Sequence, residues 1–294
     1  MCSNCIKNHL IREAFLDFIL AKKASLLAPA TITYYNYTVG SFIDFLIDSE
    51  VYNSEDISPQ MVRAYINKIA ARDISSATIH SHARGIKVFL RFLYEEDYIN
   101  KPIKMTMPKV EEQEKRVLSP EEIEQIIESC NSKRDKALLL FFLDTGLRRS
   151  EVIHLNWSDV DIESGLVVVR KTKNKKVRSV FIGHNTRRAL LKYRRLVQHE
   201  ETSPLFQTKN GDRFSGSGLR QVFRRLRDKS DILFSAHDLR RTFATLSLKS
   251  GMNVFHLQSL MGHSSLEMTR KYLRFVTDDL REAHESYAPV DHYL

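Results

Sequence analysis

Six side chains in the second part of the chain are of types that could cleave a phosphodiester. Each is a cation, an imidazole or a tyrosine hydroxyl, and in chain order they are Arg148, Lys173, His237, Arg240, His263 and Tyr272. Two guanidinium groups can offer paired N–H donors to the oxygens of a phosphorane-like transition state. A tyrosine hydroxyl can attack in line, and a lysine or histidine can protonate the leaving oxygen. Because the cations already balance the phosphate charge, we expect neither a metal ion nor another cofactor.

The spacing of these residues favours chemistry over coincidence. His237 and Arg240 are three residues apart, so they share one face at the start of a predicted helix. Arg148 follows a predicted turn between two helices, and Tyr272 comes nine residues after His263. Each residue alone has a plainer interpretation. Tyr272 could pack in a core, for example, and Arg148 could form an exposed ion pair of little energetic weight.

The charge distribution predicts a nucleic-acid partner. The net charge is +9, and residues 164–199 include no acidic residue. The electrostatic field of many positive charges without negative ones attracts a polyanion. A short run of basic residues, however, more often lies on a face exposed to solvent. We predict a nucleic acid as the partner. The residues predicted to contact it are basic and lie in this stretch or near the cluster above: Lys171, Lys175, Lys176, Arg178, Arg187, Arg188, Arg149 and Arg241.

The first hundred residues predict a helical bundle. Residues 10–20 are apolar at helical spacing, and Thr31 is positioned to cap a second helix. Ser58, followed by proline, predicts the start of a third helix, and Ser75 opens a fourth. Four amphipathic helices with short connections form a small bundle.

The rest of the chain predicts an α+β domain. Ser119 begins a capping box, and residues 138–143 form a buried helix that ends at Gly146. A small antiparallel sheet with lysines at one hairpin tip is predicted from three apolar runs, at residues 160–162, 166–169 and 177–182. The chain after Asn185 is predicted to be mostly helical. The fold class is therefore mainly α with a small antiparallel β-sheet.

The same patterns predict four segments. They are a helical domain at 1–104, a linker at 105–116, an α+β domain at 117–276 and a tail at 277–294. Met105 and Met107 are predicted to be exposed in the linker.

Composition excludes several classes of protein. No apolar run approaches the roughly 20 residues of a membrane span, and no secretory signal is visible, so we predict a cytoplasmic protein without a membrane partner. Three cysteines are too few for a disulfide framework. Cys2, Cys5 and His9 could bind zinc, but a zinc site usually needs four ligands, which favours a frayed terminus.

The order of the motifs resembles the tyrosine recombinase (phage integrase) family, and most closely its Xer-like members. The motifs are Thr145-Gly146-Leu147-Arg148-Arg149-Ser150-Glu151, Lys173, His237-Asp238-Leu239-Arg240, Met261-Gly262-His263-Ser264-Ser265 and Tyr272. The resemblance covers nearly the whole chain, since the N-terminal bundle is similar to the core-binding domain of the family. It implies that this bundle and the catalytic domain clamp a DNA duplex.

The resemblance also implies a role for each residue. Tyr272 would be the nucleophile of a 3′-phosphotyrosyl intermediate, and Arg148 and Arg240 would hold the scissile phosphate. His237 and His263 would assist by hydrogen bonding and proton transfer. Lys173 would protonate the 5′ leaving oxygen. Glu151 would support the geometry of the arginines.

Two departures from the family pattern leave alternatives open. Thr172 and Asn174 flank Lys173, where the family often has glycines, so the proton donor could instead be one of the neighbouring lysines. Arg149 stands where an aliphatic residue is commoner, and it either contacts DNA or is simply exposed.

The family implies an assembly and a reaction. A homotetramer, or a heterotetramer with a related recombinase, would join two DNA sites through a Holliday junction. The tail at residues 277–294 would dock on a neighbouring protomer. The reaction would resolve chromosome or plasmid dimers, or move a mobile element. A type IB topoisomerase and a non-catalytic DNA-binding relative are the alternatives.

Overall fold

The chain divides into two compact units, residues 1–113 and 114–294. The computed structural model describes residues 10–110, 116–170, 177–197, 200–263 and 265–273. Each unit encloses a large core of its own. Within the described ranges, no helix is long and apolar enough to cross a membrane.

The first unit contains four α-helices within residues 10–110. In chain order they are α1 (Ile11–Ala24), α2 (Pro29–Asp48), α3 (Pro59–Ala70) and α4 (Ser76–Glu95). Ser58 and Ser75 cap α3 and α4 as predicted, because each hydroxyl accepts a hydrogen bond from a main-chain N–H of the first turn. The predicted cap at Thr31 is wrong. The helix already begins at Pro29, whose fixed φ and missing N–H suit the first helical position.

Aromatic side chains fill the core of the first unit. Phe18 packs edge-on against Phe89, with ring centroids 5.3 Å apart. Helices α2 and α4 approach closely at Gly85, where a Cβ atom would collide with the Thr38 side chain. The predicted exposure of Met105 and Met107 is wrong, since both are half-buried and Met105 packs against this core.

The second unit contains eight α-helices and two strands within the described residues. The helices are α5 (Pro120–Glu128), α6 (Lys133–Thr145), α7 (Arg149–His154), α8 (His184–Arg194), α9 (Gly216–Ser230), α10 (Ala236–Lys249), α11 (Val254–Met261) and α12 (Leu266–Leu273). Strands β1 (Leu166–Val169) and β2 (Arg178–Phe181) pair antiparallel, with Val169 opposite Arg178. The structure thus confirms the predicted fold class.

The predicted strand at residues 160–162 does not form. Val160 makes a single bridge to Val167, and the sheet has two strands in the described ranges. Val160 and Ile162 are nevertheless buried, so their apolar character reflects the core and not a β-ladder. The apolar run was too short to distinguish these two possibilities.

Helix α6 ends in a turn that brings two distant elements together. Gly146 adopts a left-handed conformation with φ +58°, and the ring of Phe243 on α10 occupies the space that a Cβ atom would need. The predicted end of this helix is confirmed. Because Arg148 follows the turn, its closure places the start of α7 beside α10.

Candidate active site

The structure brings four of the six predicted side chains together around Arg240. Arg148 precedes α7, Arg240 lies in the first half of α10, His263 follows α11, and Tyr272 is on α12. Arg240 is 5% exposed, and it reaches the turns that precede Arg148 and His263. Residues scattered over more than a hundred positions therefore form one cluster.

Arg240 is held mainly by main-chain oxygens. Nη1 donates to the carbonyl of Gly146 at 2.5 Å, and Nη2 donates to the carbonyl of Met261 at 2.8 Å. Nη2 also lies 3.0 Å from Nε2 of His263. Burial, and then the charge of Arg148, lower the pKa of Arg240, but a guanidinium stays protonated at neutral pH. Among the described residues, these contacts use three of its five N–H donors, and the Nε–H and one Nη1–H remain to bind an anion.

Glu151 joins Arg148 to a second arginine. Its side chain is 1% exposed, and its carboxylate accepts hydrogen bonds from the main-chain N–H and Nη1 of Arg148, at 2.8 and 3.1 Å. Nη1 and Nη2 of Arg178 donate to its two oxygens, at 2.9 and 2.8 Å. Burial would raise the pKa of Glu151, but these hydrogen bonds and charges hold it below its ordinary value. Glu151 is therefore a carboxylate that fixes Arg148.

The hydrogen-bond network assigns a neutral tautomer to His263. Nε2 faces a guanidinium N–H and must accept, so Nδ1 carries the proton and donates to Oγ1 of Thr269, 2.8 Å away. Burial and the charges of Arg240, Arg148 and Arg178 lower the pKa of His263 to about 4. His263 thus acts as an oriented acceptor for Arg240.

Tyr272 lies against His263 on the other side of the cluster. The two rings are stacked, with centroids 6.1 Å apart and planes 8° apart. Thr269 is fully buried on the same helix, three residues earlier, so the helix that carries Tyr272 also orients His263. Sequence reasoning missed Thr269, although its spacing from Tyr272 places both on one helix face.

His237 is near the cluster but more open. The residue as a whole is exposed, yet its ring is partly desolvated. This desolvation, followed by the charges of Arg240 and Arg241, lowers the pKa of His237 below its ordinary value. At neutral pH the imidazole is available to accept a proton.

The predicted DNA contacts divide into three groups. Lys171, Lys173, Lys175 and Lys176 lie outside the described residues, as do Cys2 and Cys5. The guanidinium of Arg178 is committed to the protein interior, so its predicted DNA contact is replaced by a structural contact to Glu151. Parts of two further arginines also bind the protein: Arg187 donates to the carbonyls of Ile162 and Glu163, and Arg241 pairs with Asp238. Arg149 is half-buried and Arg188 is exposed.

A cavity of about 380 Å³ extends from Arg148 and Arg240 toward α9. Its lining includes Arg149, Arg220 and Arg227 and contains no acidic residue among those that the structure describes. Arg220 and Arg227 are seven residues apart and lie on one face of α9. Sequence reasoning missed both, because they fall outside the acid-free stretch. The cavity is suited to an extended anion.

The low pKa of His263 makes stability depend on pH. An unfolded chain protonates this imidazole near its ordinary value of 6.5, whereas the folded protein does so only near about 4. Since the unfolded state then binds more protons, the folded state loses stability as pH falls from 6.5 toward 4. We expect this loss to be smaller in a His263→Asn variant. Urea unfolding of both proteins between pH 7 and 4.5 measures it, and identical pH dependences would contradict the assigned tautomer.

Comparison with known proteins agrees with the geometry. The profile described as "Phage integrase family" matches residues 116–277, and that described as "Phage integrase, N-terminal SAM-like domain" matches residues 13–97. The fold is that of the tyrosine recombinases. The chain belongs to the phage integrase family.

Individual relatives point to the Xer type. The chain is 32% identical to tyrosine recombinase XerA of Saccharolobus solfataricus, over 92% of this chain and 90% of that protein. It is 27% identical to tyrosine recombinase XerC of Oceanobacillus iheyensis, over 94% and 95%. The crystal structure of XerA recombinase matches with a TM-score of 0.53 at 27% identity, over 94% and 98%. This protein is thus a tyrosine-type site-specific recombinase of the Xer type.

A further solved structure supports the fold. The Tn1549 transposon integrase, solved in complex with a circular intermediate DNA, matches with a TM-score of 0.76 at 19% identity. The match covers 90% of this chain and 95% of the integrase chain.

Proposed function

We propose that this protein exchanges DNA strands through a covalent intermediate formed on Tyr272. The observation that carries the proposal is the cluster around Arg240, in which two arginines, a neutral histidine and a tyrosine from four elements meet. The Tyr272 hydroxyl oxygen bonds to the scissile phosphorus, and the bond from phosphorus to the 5′ oxygen breaks. Religation to another 5′ end then passes through a Holliday junction.

Arg148 and Arg240 bind the scissile phosphate. In the part of the chain that the structure describes, Arg240 has its Nε–H and one Nη1–H left for the phosphate, and Arg148 uses one Nη1–H on Glu151. In a buried site such donors are already oriented, so they stabilise the charge that develops in the transition state without reorganising. Their positive charge takes the place that a metal ion has in other phosphoryl-transfer sites, and the reaction uses no cofactor.

The two histidines have different roles. Nε2 of His263 is occupied by Arg240, so His263 orients the arginine. His237 is neutral and open, and it accepts the proton that leaves the Tyr272 hydroxyl. Lys173 donates a proton to the 5′ oxygen; Lys171, Lys175 and Lys176 are the alternatives for this step.

The cavity beside the cluster binds the part of the DNA backbone that continues from the scissile phosphate. Arg149, Arg220 and Arg227 line it, and the described part of the lining offers them no acidic partner. Guanidinium groups pair well with phosphate oxygens. These residues therefore bind phosphates that flank the cleaved one.

Alanine at Arg220 or Arg227 should weaken DNA binding at every sequence. Each lost phosphate contact should also make the slope of log affinity against log salt shallower by about 0.9. Arg225 provides the matched control, since it lies on another face of α9 and is 4.0 Å from Asp135. Fluorescence anisotropy at several salt concentrations measures the slope, and equal slopes for all three variants would contradict the assignment.

Assembly is proposed to use the acidic tail. An apolar groove lined by Phe181, Phe243 and Met252 continues into a basic cavity lined by Lys133, Lys136, Arg188 and Lys192. Residues 277–294 contain five acidic residues and one arginine, together with Leu280 and Tyr287. This composition complements the surface, so the tail of one protomer docks in the groove of the next. A homotetramer on two duplexes, or a heterotetramer with a related recombinase, is the result.

Covalent capture tests the proposed function directly. The protein is incubated with sheared genomic DNA of its host and denatured with detergent, and the DNA linked to protein is sequenced. Ends that cluster at one sequence are expected, and sedimentation on that DNA should show four protomers per pair of sites. Relaxation of any supercoiled plasmid, with ends scattered over many sequences, would instead indicate a topoisomerase. Absence of linked DNA would indicate a non-catalytic binder.

A further inference from the structure

We propose that Arg178 is a positioning residue for strand cleavage, which it serves by holding Arg148 through Glu151 and holding the turn before His263. The proposal rests on the phosphate-binding roles of Arg148 and Arg240 proposed above. Arg178 is the first residue of β2, and its side chain is 11% exposed. It belongs to the basic stretch that the sequence assigns to DNA, yet its guanidinium points into the protein.

One guanidinium makes three contacts with two separate elements. Nη1 and Nη2 donate to the two oxygens of Glu151, a paired geometry that fixes both planes relative to each other. Nε donates to the carbonyl of Leu260 at 2.9 Å, in the last turn of α11. Arg178 thereby connects β2 to α7 on one side and to α11 on the other.

The contact between Arg178 and Glu151 determines how many N–H donors of Arg148 are left for the phosphate. Glu151 is a buried carboxylate with four hydrogen bonds, two from Arg178 and two from Arg148. A buried charge that loses a partner is costly, so the remaining partner is drawn toward it. Without Arg178, Glu151 would draw more of the Arg148 guanidinium inward. With Arg178 in place, and counting contacts among the described residues, four of the five guanidinium N–H groups of Arg148 are left for the phosphate.

The contact between Arg178 and Leu260 supports the turn that precedes His263. Gly262 has φ +61°, and a Cβ atom at this position would lie 3.0 Å from the Arg178 guanidinium. The arginine therefore fills the space that this glycine leaves, directly before His263. Met261, whose carbonyl accepts from Arg240, lies in the same turn. Arg178 thus supports both arginines that hold the phosphate.

An Arg178→Lys variant separates positioning from DNA binding. Lysine keeps the charge but cannot offer paired donors to Glu151 and also reach Leu260. Cleavage of bound DNA should slow by about 10-fold to 100-fold, as for other residues that orient a functional group. DNA affinity should stay within about twofold of wild type, with an unchanged salt slope. A slope shallower by about 0.9 would make Arg178 a phosphate contact and overturn the proposal.

A methylphosphonate at the scissile position distinguishes positioning from a general structural defect. This substitution removes one charged oxygen, so it reduces the need for Arg148. We expect single-turnover cleavage to recover both in Arg178→Lys and in Arg148→Ala, at a temperature where circular dichroism shows both folded. A folded Arg178→Lys that cleaves ordinary DNA at the wild-type rate, or that is not rescued when Arg148→Ala is, would overturn the proposal.

A crystal structure of Arg178→Lys gives a readout independent of cleavage. The Arg148 guanidinium should move toward Glu151, and an unchanged Arg148 would contradict the inference. Wild-type protein on ordinary DNA is the control for the underlying reaction. If wild type forms no adduct, the proposed function fails, and the position of Arg148 in the variant still decides the role of Arg178.

Discussion

Replacing Tyr272 with phenylalanine should abolish the covalent protein–DNA adduct and leave DNA affinity within about twofold of wild type. The change removes the attacking oxygen and keeps the ring that stacks on His263. A DNA fragment with the captured target sequence and a nick next to the scissile phosphate traps the adduct, because the short cleaved strand diffuses away. Denaturing electrophoresis then separates linked from free protein.

Tyr287→Phe is the matched control for this result. It makes the same chemical change in the tail of the chain, and it should retain the adduct. An adduct in Tyr272→Phe that disappears in Tyr287→Phe would move the nucleophile to the tail.

Replacing Arg240 with alanine should slow cleavage by on the order of 10² to 10³, the loss seen when a donor to a developing oxyanion is removed. The variant loses both N–H groups proposed to bind the phosphate. It also removes the partner that Nε2 of His263 accepts from. Affinity should fall much less, because other cations contact the DNA backbone. Single-turnover rates at saturating protein, together with anisotropy, separate the two effects.

Lys173→Ala provides a contrast within the same experiment. A sulfur in place of the 5′ bridging oxygen makes a leaving group that needs little protonation. Such a substrate should restore cleavage by Lys173→Ala but not by Arg240→Ala. Rescue of Lys171→Ala or Lys175→Ala in place of Lys173→Ala would reassign the proton donor, and rescue of Arg240→Ala would contradict its role in binding the phosphate.

Helix starts were the part of the fold most open to prediction. Ser58, Ser75 and Ser119 cap helices as expected, because the capping interaction involves residues only three positions apart. The predicted cap at Thr31 was wrong for a local reason too, since Pro29 provides a better helix start two residues earlier. The predicted strand at Val160 was wrong for a reason that is not local: burial against the core produces the same apolar pattern as a strand.

The candidate site was predictable in its residues but not in its contacts. Arg240, His263 and Tyr272 stand out by type and order, and the structure brings them together. Thr269 and Arg178 do not stand out in the sequence, because a threonine in a helix and an arginine in a basic stretch are ordinary features. Arg178 pairs with Glu151, which is 27 positions away in the chain, and only the fold reveals that pairing.

The partners of Arg240 have a consequence for how the site responds to random mutation. Two of its acceptors are carbonyl oxygens of Gly146 and Met261, and a carbonyl persists whatever side chain the residue carries. These two contacts of Arg240 therefore survive many substitutions of the residues that supply them. The glycines differ, because Gly146 and Gly262 have positive φ, and a side chain at either would meet Phe243 or Arg178. Inactivating substitutions around Arg240 should thus include these two glycines, which carry no functional group, beside the residues that bind or orient the phosphate.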